Sequence, residues 1–174
     1  MTTNKKILIV EDDADVRLGY QVILKANHYD TVFAGYALTA VSEARKHQPD
    51  LIILDLGLPD GNGFTVLERF RAVAELSLIP VIVVSARDIY GHKGRALRAG
   101  AKAFLQKPWN DNELLAIISK IAALYVQNFN DPITLSAVNE VENLTNGLSR
   151  KIWQKIMIQD RMLSPSAERA MPAS

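Results

Sequence analysis

The chain has 174 residues, of which 48% are hydrophobic and 22% are charged, and its formal net charge is +1. This composition is typical of a globular protein, and the length suffices for one domain with an appendage. The near-neutral charge gives no reason to expect nucleic acid or an acidic membrane as a partner. The lack of cysteine excludes disulfides, thiol catalysis and cysteine-ligated metals. The start of the chain lacks a signal-peptide pattern and no apolar run could span a bilayer, so we expect a cytoplasmic protein without membrane contact.

Apolar runs alternate with segments of helical periodicity along residues 1–125. The predicted strands are Lys5–Val10, Tyr29–Ala34, Leu51–Leu54, Ile79–Ser85 and Ala103–Leu105. The predicted helices are Ala14–Ala26, Ala37–His47, a segment presenting Phe64, Val66, Leu67 and Phe70, then Ile89–Ala99 and Asp111–Leu124. Several strands are apolar throughout, as in parallel sheets that helices cover on both faces. The alternation therefore predicts an α/β fold with a doubly wound, five-stranded parallel sheet.

Polar side chains stand where the predicted strands end. Glu11 and Asp12 follow the first strand, Asp55 follows the third, Ser85 ends the fourth and Lys107 comes just after the fifth. The carboxyl ends of parallel strands share one edge of a sheet, so these side chains are expected to meet there. Taken alone, Asp55 is explained equally well as a residue of a functional site or as a turn residue or helix cap just outside the core.

Other acidic residues are explained by the backbone around them. Asp13 precedes the predicted helix Ala14–Ala26, and we expect its carboxylate to cap the amides of the first turn. Asp50, Asp60 and Asp88 lie between predicted elements and are expected to be turn or cap residues.

Three carboxylates and a lysine in one cleft are suited to Mg²⁺ and to phosphoryl transfer. Magnesium prefers oxygen ligands, and a carboxylate can act as a nucleophile that forms an aspartyl phosphate. The metal and the lysine would neutralise charge on the phosphoryl oxygens. The sequence has no GxxxxGKS/T loop and no GxGxxG loop. We therefore expect the protein to receive a phosphoryl group from a donor instead of holding its own nucleotide.

Residues 5–125 resemble the receiver domain of two-component response regulators. The resemblance rests on the acidic pair after the first strand, the LDLGLPDG loop, the serine that ends the fourth strand, the aromatic residue in the fifth strand and the Lys-Pro that follows. It implies a flavodoxin-like fold and a residue that accepts a phosphoryl group from a histidine kinase or a phosphotransfer protein. It also implies a signalling domain and not an enzyme, with at most self-catalysed phosphorylation and dephosphorylation.

The resemblance assigns the metal site to four residues: Glu11, Asp12, Asp55 and Gly57. Asp55 corresponds to the phosphoacceptor and Asp12 to the direct Mg²⁺ ligand. Gly57 would lend its backbone carbonyl to the metal, and it occupies one of the two variable positions that flank the phosphoryl group in the family.

The resemblance also implies how the phosphoryl group is held and how its arrival is transmitted. Ser85 and Lys107 correspond to residues that contact phosphoryl oxygens, and Phe104 to the aromatic whose rotamer changes on activation. Activation would remodel the face formed by the fourth helix, fifth strand and fifth helix, where a downstream protein or a second copy would bind. Arg87 occupies the second variable position, and a cis bond before Pro108 is frequent in the family.

Three segments are predicted: a receiver domain at 1–125, a helical extension at 126–163 and a disordered tail at 164–174. Apolar residues recur every three or four positions from Leu135 to Ile156, which indicates an amphipathic helix. This helix could pack on its own receiver, pair with a second copy as a homodimer, or belong to a degenerate helix-turn-helix, since Asn146–Ile152 faintly resembles part of LuxR-type domains.

Two other functions compete with the phosphoacceptor switch. A DNA-binding transcriptional regulator would need DNA contact by the extension, but residues 126–174 carry five basic and five acidic residues, so nucleic acid is not expected as a partner. A phosphohydrolase with an aspartyl nucleophile usually has a second acid two residues after the nucleophile, where this chain has Gly57.

Overall fold

The computed structural model describes residues 4–86 and 89–127. The strands are β1 Lys5–Val10, β2 Tyr29–Ala34, β3 Leu51–Leu54, β4 Val81–Ser85 and β5 Ala103–Gln106. The helices are α1 Ala14–Ala26, α2 Ala37–His47, α3 Gly63–Ala72, α4 Ile89–Arg98 and α5 Asp111–Gln127. Strands and helices alternate in the predicted order. The prediction succeeded because continuous apolar runs and helical spacing of apolar residues are easy to distinguish in segments of this length.

The five strands form one parallel sheet in the order β2-β1-β3-β4-β5. The chain moves outward from β1 to β2 and then returns across β1 to β3, so the direction of the crossovers reverses beside β1. Since crossovers between parallel strands are right-handed, this reversal distributes the helices over both faces of the sheet. The predicted doubly wound, five-stranded parallel sheet is confirmed, and its switch point lies between β1 and β3.

Four element boundaries differ from the prediction, and one of them is the end of β5, which lies at Gln106 and not at Leu105. β4 begins at Val81 because Pro80 has no amide to donate to a ladder, although its carbonyl accepts the amide of Ile52 at 2.9 Å. α4 ends at Arg98, just before Gly100, whose φ of 104° suits a residue that follows a helix. α5 continues to its last described residue, 127, three residues beyond the predicted end.

Acidic side chains cap two of the helices. The Asp13 carboxylate accepts the amides of Asp15 and Val16 at 2.8 and 3.1 Å, which confirms it as the cap of α1. Asp60 lies in the loop after β3 and accepts the first two amides of α2 at 2.8 and 3.1 Å. It therefore ties the start of α2 to the loop that follows Asp55.

The central strands β3 and β4 are buried along their whole length because helices cover both faces. Among the residues whose burial is described, three polar or charged residues are buried: Glu11, Asp55 and Ser85. All three lie at or just beyond the carboxyl end of a strand. Burial of a carboxylate is unfavourable unless a partner compensates it, so these residues mark the candidate site.

Some predictions lie outside the described residues. They concern Arg87, Asp88, the helical extension from residue 128 onward and the tail at 164–174. Within the described part of the chain, no helix combines the length and apolar character that a membrane crossing requires.

Candidate functional site

Asp55 stands directly beyond β3, at the centre of the sheet edge. Its backbone amide donates to the carbonyl of Val10 at 3.0 Å, which extends the pairing of β1 with β3 by one residue. One carboxylate oxygen, Oδ1, accepts the amide of Gly57 at 2.8 Å. Only 8% of Asp55 is exposed, so the backbone and its neighbours fix the carboxylate in place.

Glu11 holds the equivalent position beyond β1. Its amide donates to the carbonyl of Ala34 at 3.0 Å, and it is 2% exposed. Asp12, the next residue, is exposed. The guanidinium of Arg17 donates to the carbonyls of Glu11 and Asp12, both at 2.8 Å, and so holds the backbone of the acidic pair against α1.

Lys107 joins the two buried carboxylates. Its ammonium nitrogen, Nζ, lies 2.6 Å from Oε2 of Glu11 and 2.7 Å from Oδ2 of Asp55. Its backbone amide donates to the carbonyl of Ser85 at 2.9 Å, which fixes the start of the side chain beside the end of β4. The bond between Lys107 and Pro108 is cis, as the resemblance implied.

Burial and pairing set the charge state of this group. Burial raises the pKa of Glu11, and the hydrogen bond and charge of Lys107 offset the rise only in part. Burial also opposes the charged form of Lys107, but hydrogen bonds to Asp55 and Glu11 outweigh it and raise the pKa of the lysine. Lys107 therefore remains an ammonium ion at neutral pH and acts as a fixed positive charge between the carboxylates.

The carboxylates form a donor set that fits a hard divalent cation. One oxygen from each of Glu11, Asp12 and Asp55 lies within 4.8 Å of the other two. Oxygen donors of this number and charge match the preference of Mg²⁺, which keeps several waters alongside a few carboxylates. A cleft of about 470 Å³ opens beside this set; its lining residues are Asp12, Arg17, Phe33, Gly35, Tyr36 and Pro59.

Ser85 lies on β4, the neighbour of β3, and Phe104 lies on β5, which leads to Lys107. Ser85 is the last residue of β4 and is fully buried; its partner in the β4–β5 register is Gln106, the residue before Lys107. Phe104 pairs with Val83 and its ring is buried within the core. Gly57 donates its amide to Oδ1 of Asp55 and so lies at the site, and its carbonyl as a metal ligand stays a prediction from the resemblance.

Three aromatic or basic neighbours of the site were not predicted. They are Arg17, Tyr20 and Trp109, to which the sequence had assigned no role at the site. The Tyr20 ring stacks on Trp109, with centroids 4.6 Å apart and an interplanar angle of 10°. The available signal was a tyrosine on an otherwise apolar helix face together with a tryptophan just after Lys-Pro.

Comparison with known proteins identifies the family of this chain. The model of the response regulator receiver domain family matches residues 7–119. The KDP operon transcriptional regulatory protein KdpE of Escherichia coli is 42% identical over 110 residues, which cover 63% of this chain and 48% of KdpE. The DNA-binding response regulator MtrA of Mycobacterium tuberculosis is 30% identical over 141 residues, which cover 81% of this chain and 59% of MtrA.

A solved structure gives the same result. The receiver domain of a sensor histidine kinase from Pseudomonas aeruginosa, with a magnesium ion coordinated in its active site cleft, superimposes with a TM-score of 0.62 and 26% identity over 67% of this chain and 96% of that one. The chain spans about half the length of KdpE and somewhat more of MtrA, at 48% and 59%. The family match covers more than half of the chain, and the resemblance predicted from the sequence is confirmed: the chain belongs to the family of response regulator receiver domains.

Proposed function

We propose that the chain is a phosphoacceptor switch, in which Asp55 takes a phosphoryl group from a histidine kinase or a phosphotransfer protein in a Mg²⁺-dependent reaction. The observation that carries the proposal is the ammonium of Lys107 held at 2.6 and 2.7 Å between Glu11 and Asp55, beside a set of three carboxylate oxygens. The Pseudomonas aeruginosa receiver, with its magnesium ion in the active site cleft, supports the choice of metal.

In the proposed reaction, a carboxylate oxygen of Asp55 attacks the phosphorus atom of the donor. The bond from phosphorus to the donor nitrogen breaks, and the donor imidazole leaves with the electron pair of that bond. The amide of Gly57 keeps the carboxylate oriented during attack. Glu11, Asp12 and Asp55 would hold Mg²⁺, which neutralises negative charge on the phosphoryl oxygens when bound.

The same residues would hold the phosphoryl group after transfer. Lys107 is already a cation beside Asp55, and its side chain needs only to turn from the carboxylates to a phosphoryl oxygen. Ser85, at the end of β4, would donate its hydroxyl to another phosphoryl oxygen. Movement of the β4–α4 loop and of Phe104 would then change the face formed by α4, β5 and α5, where a downstream protein or a second copy would bind.

In this function, each chain takes up one phosphoryl group and does not turn over a substrate. An aspartyl phosphohydrolase usually has an acid two residues after its nucleophile, where this chain has Gly57. We propose a cytoplasmic location, on the ground that relatives of this chain are named as transcriptional and DNA-binding regulators.

Asp55→Asn tests the assignment directly. After incubation of the full chain with acetyl phosphate and Mg²⁺, intact-mass measurement should show one added phosphoryl group on the parent and none on the variant. Asp60→Asn is the matched control, because Asp60 lies in the same loop but caps α2 and should leave labelling unchanged. Equal labelling of the parent and of Asp55→Asn would refute the assignment.

DNA binding is the second candidate function. KdpE and MtrA are named as transcriptional and DNA-binding regulators, which favours an output on DNA. The balanced charge of residues 126–174 opposes it. A salt-dependent mobility shift of mixed duplex DNA by the full chain would support this function, and the absence of binding at low salt would count against it.

A further inference from the structure

The hydroxyl of Tyr20 is a buried polar group that lacks a partner. Tyr20 is 1% exposed, and within the described part of the chain its phenol oxygen is the buried side-chain atom that makes no hydrogen bond. Most buried hydroxyls are hydrogen-bonded, because an unpaired one loses the water that it would bind when exposed. The unpaired hydroxyl of Tyr20 is explained if another state of the protein provides it with a hydrogen-bond acceptor.

The position of Tyr20 suggests where that acceptor lies. Its ring stacks on Trp109, two residues after the lysine that joins the carboxylates. Burial raises the pKa of the Tyr20 phenol, and the negative charges of Glu11 and then Asp55 raise it further. The phenol therefore lies in the electrostatic field of both carboxylates, and Glu11 acts on it more strongly than Asp55 does.

In the structure, Lys107 donates to Oε2 of Glu11 and to Oδ2 of Asp55. In the proposed function, the lysine turns to a phosphoryl oxygen. Oε2 of Glu11 then loses the ammonium that donates to it, while Oε1 keeps the amide of Asp13 at 3.3 Å and the carboxylate helps to hold Mg²⁺. A buried carboxylate oxygen without a hydrogen bond is costly, and the Tyr20 hydroxyl is a buried donor without a partner. The two groups are therefore complementary. The Tyr20 hydroxyl lacks an acceptor before the lysine turns, and Oε2 of Glu11 lacks a hydrogen-bond donor afterwards.

We propose that Tyr20 is a positioning residue of the phosphorylated site, whose hydroxyl donates to the Glu11 carboxylate once Lys107 has turned away. The inference rests on the proposed function and adds a residue to it. It has a consequence that a purely structural role lacks. Removal of the hydroxyl should relieve an unpaired buried group in the unmodified protein but should remove a hydrogen bond in the phosphorylated one.

Tyr20→Phe separates these effects because it removes the hydroxyl and keeps the ring that stacks on Trp109. The full chain contains two tryptophans, so Trp153→Phe in every protein leaves Trp109 as the fluorescent reporter beside the site. Two quantities are measured: the urea midpoint without ligand, and the apparent affinity for beryllofluoride, a phosphoryl mimic, at saturating Mg²⁺. Tyr29→Phe, at the start of β2 and so at the opposite edge of the sheet, is the control.

We expect Tyr20→Phe to unfold at the same urea concentration as its parent or a higher one, and to bind beryllofluoride roughly tenfold more weakly. The control should bind beryllofluoride as the parent does. An affinity within twofold of the parent's would overturn the inference, and so would a joint fall of affinity and urea midpoint, which indicates a structural role alone. A parent that binds no beryllofluoride refutes the proposed function itself, whereas a parent that binds it with unchanged affinity in Tyr20→Phe refutes only the role of Tyr20.

Discussion

Substitution of Lys107 by methionine keeps most of the side-chain stem and removes the ammonium that Glu11 and Asp55 share. We predict that Lys107→Met lowers the free energy of unfolding by about 3 kcal/mol at pH 7.5 without Mg²⁺. The reason is that two buried carboxylates then face each other without a cation. The loss should shrink at lower pH and when Mg²⁺ supplies positive charge in place of the lysine.

The magnitude follows from the geometry. At an effective dielectric constant of about 20, unit charges 2.6 and 2.7 Å apart attract by about 6 kcal/mol in each pair, and carboxylate oxygens within 4.8 Å of each other repel by about 3 kcal/mol or more. Desolvation of the three ions offsets most of the net attraction, so the intact group contributes little to stability. Methionine removes both attractions and leaves the repulsion and the desolvation of the carboxylates.

Proton uptake sets an upper limit on the loss. Glu11 can bind a proton instead of remaining ionised, and from its ordinary pKa of 4.5 this costs about 4 kcal/mol at pH 7.5 and about 1.4 kcal/mol at pH 5.5. Burial already raises the pKa of Glu11, and loss of Lys107 raises it further. An acid with a raised folded-state pKa destabilises the fold above that pKa and ceases to do so below its unfolded value, so acidification reduces the loss.

Urea unfolding followed by circular dichroism at pH 7.5 and 5.5, with and without Mg²⁺, measures these terms. Lys120→Met is the control, because Lys120 is exposed on α5 and its loss should change stability little at either pH. A loss for Lys107→Met that is equal at both pH values, or larger at pH 5.5, would show that the two carboxylates do not depend on the lysine.

Two further substitutions test the loop after β3, and a third, in α1, is a control. Gly63→Ala should lower the free energy of unfolding by about 1–3 kcal/mol, because its Cβ would lie 2.5 Å from Cα of Leu56 and 2.6 Å from the carbonyl oxygen of Asp55. The control Gly19→Ala has open space in α1 and should instead raise the free energy of unfolding by about 0.5–1 kcal/mol, so equal thermal shifts for both variants would contradict the prediction. Asp60→Ala should lower the urea midpoint at pH 7, and its difference from the parent should narrow toward pH 3. Desolvation opposes ionisation of Asp60, but the first two amides of α2 outweigh it and lower the pKa of Asp60 below 3.8. The stability that the ionised carboxylate contributes is therefore lost as pH falls through that lowered pKa. A stability difference between parent and variant that does not depend on pH would contradict the role of Asp60 as a cap.

The order of elements could be predicted from the sequence because the signals are local. The run Leu51–Leu54 is apolar at every position, which a strand covered on both faces requires. Asp13 was predicted as a cap from its place before a periodic segment, and its carboxylate makes that contact. One boundary was predicted two residues too early although its signal, a proline, is local. β4 can begin only at Val81, since Pro80 has no amide for the ladder.

The residues of the candidate site could also be named from the sequence, because a parallel sheet brings the carboxyl ends of its strands to one edge. Their identities indicated a cation and a phosphoryl group. The pattern could not say which oxygen each donor contacts. In the structure, for example, the amide of Gly57 donates to Oδ1 of Asp55.

By itself, the sequence therefore determined the alternation of strands and helices, the parallel sheet and the list of charged residues at its edge, since these follow from hydrophobic periodicity and chain order. The tertiary structure alone decided that Lys107 bridges Glu11, 96 residues away, and Asp55, 52 residues away. It also decided that Tyr20 stacks on Trp109 with its hydroxyl unpaired. Contacts over such separations depend on how helices pack on the sheet to within a fraction of an ångström, and local patterns of residue type carry no record of that packing.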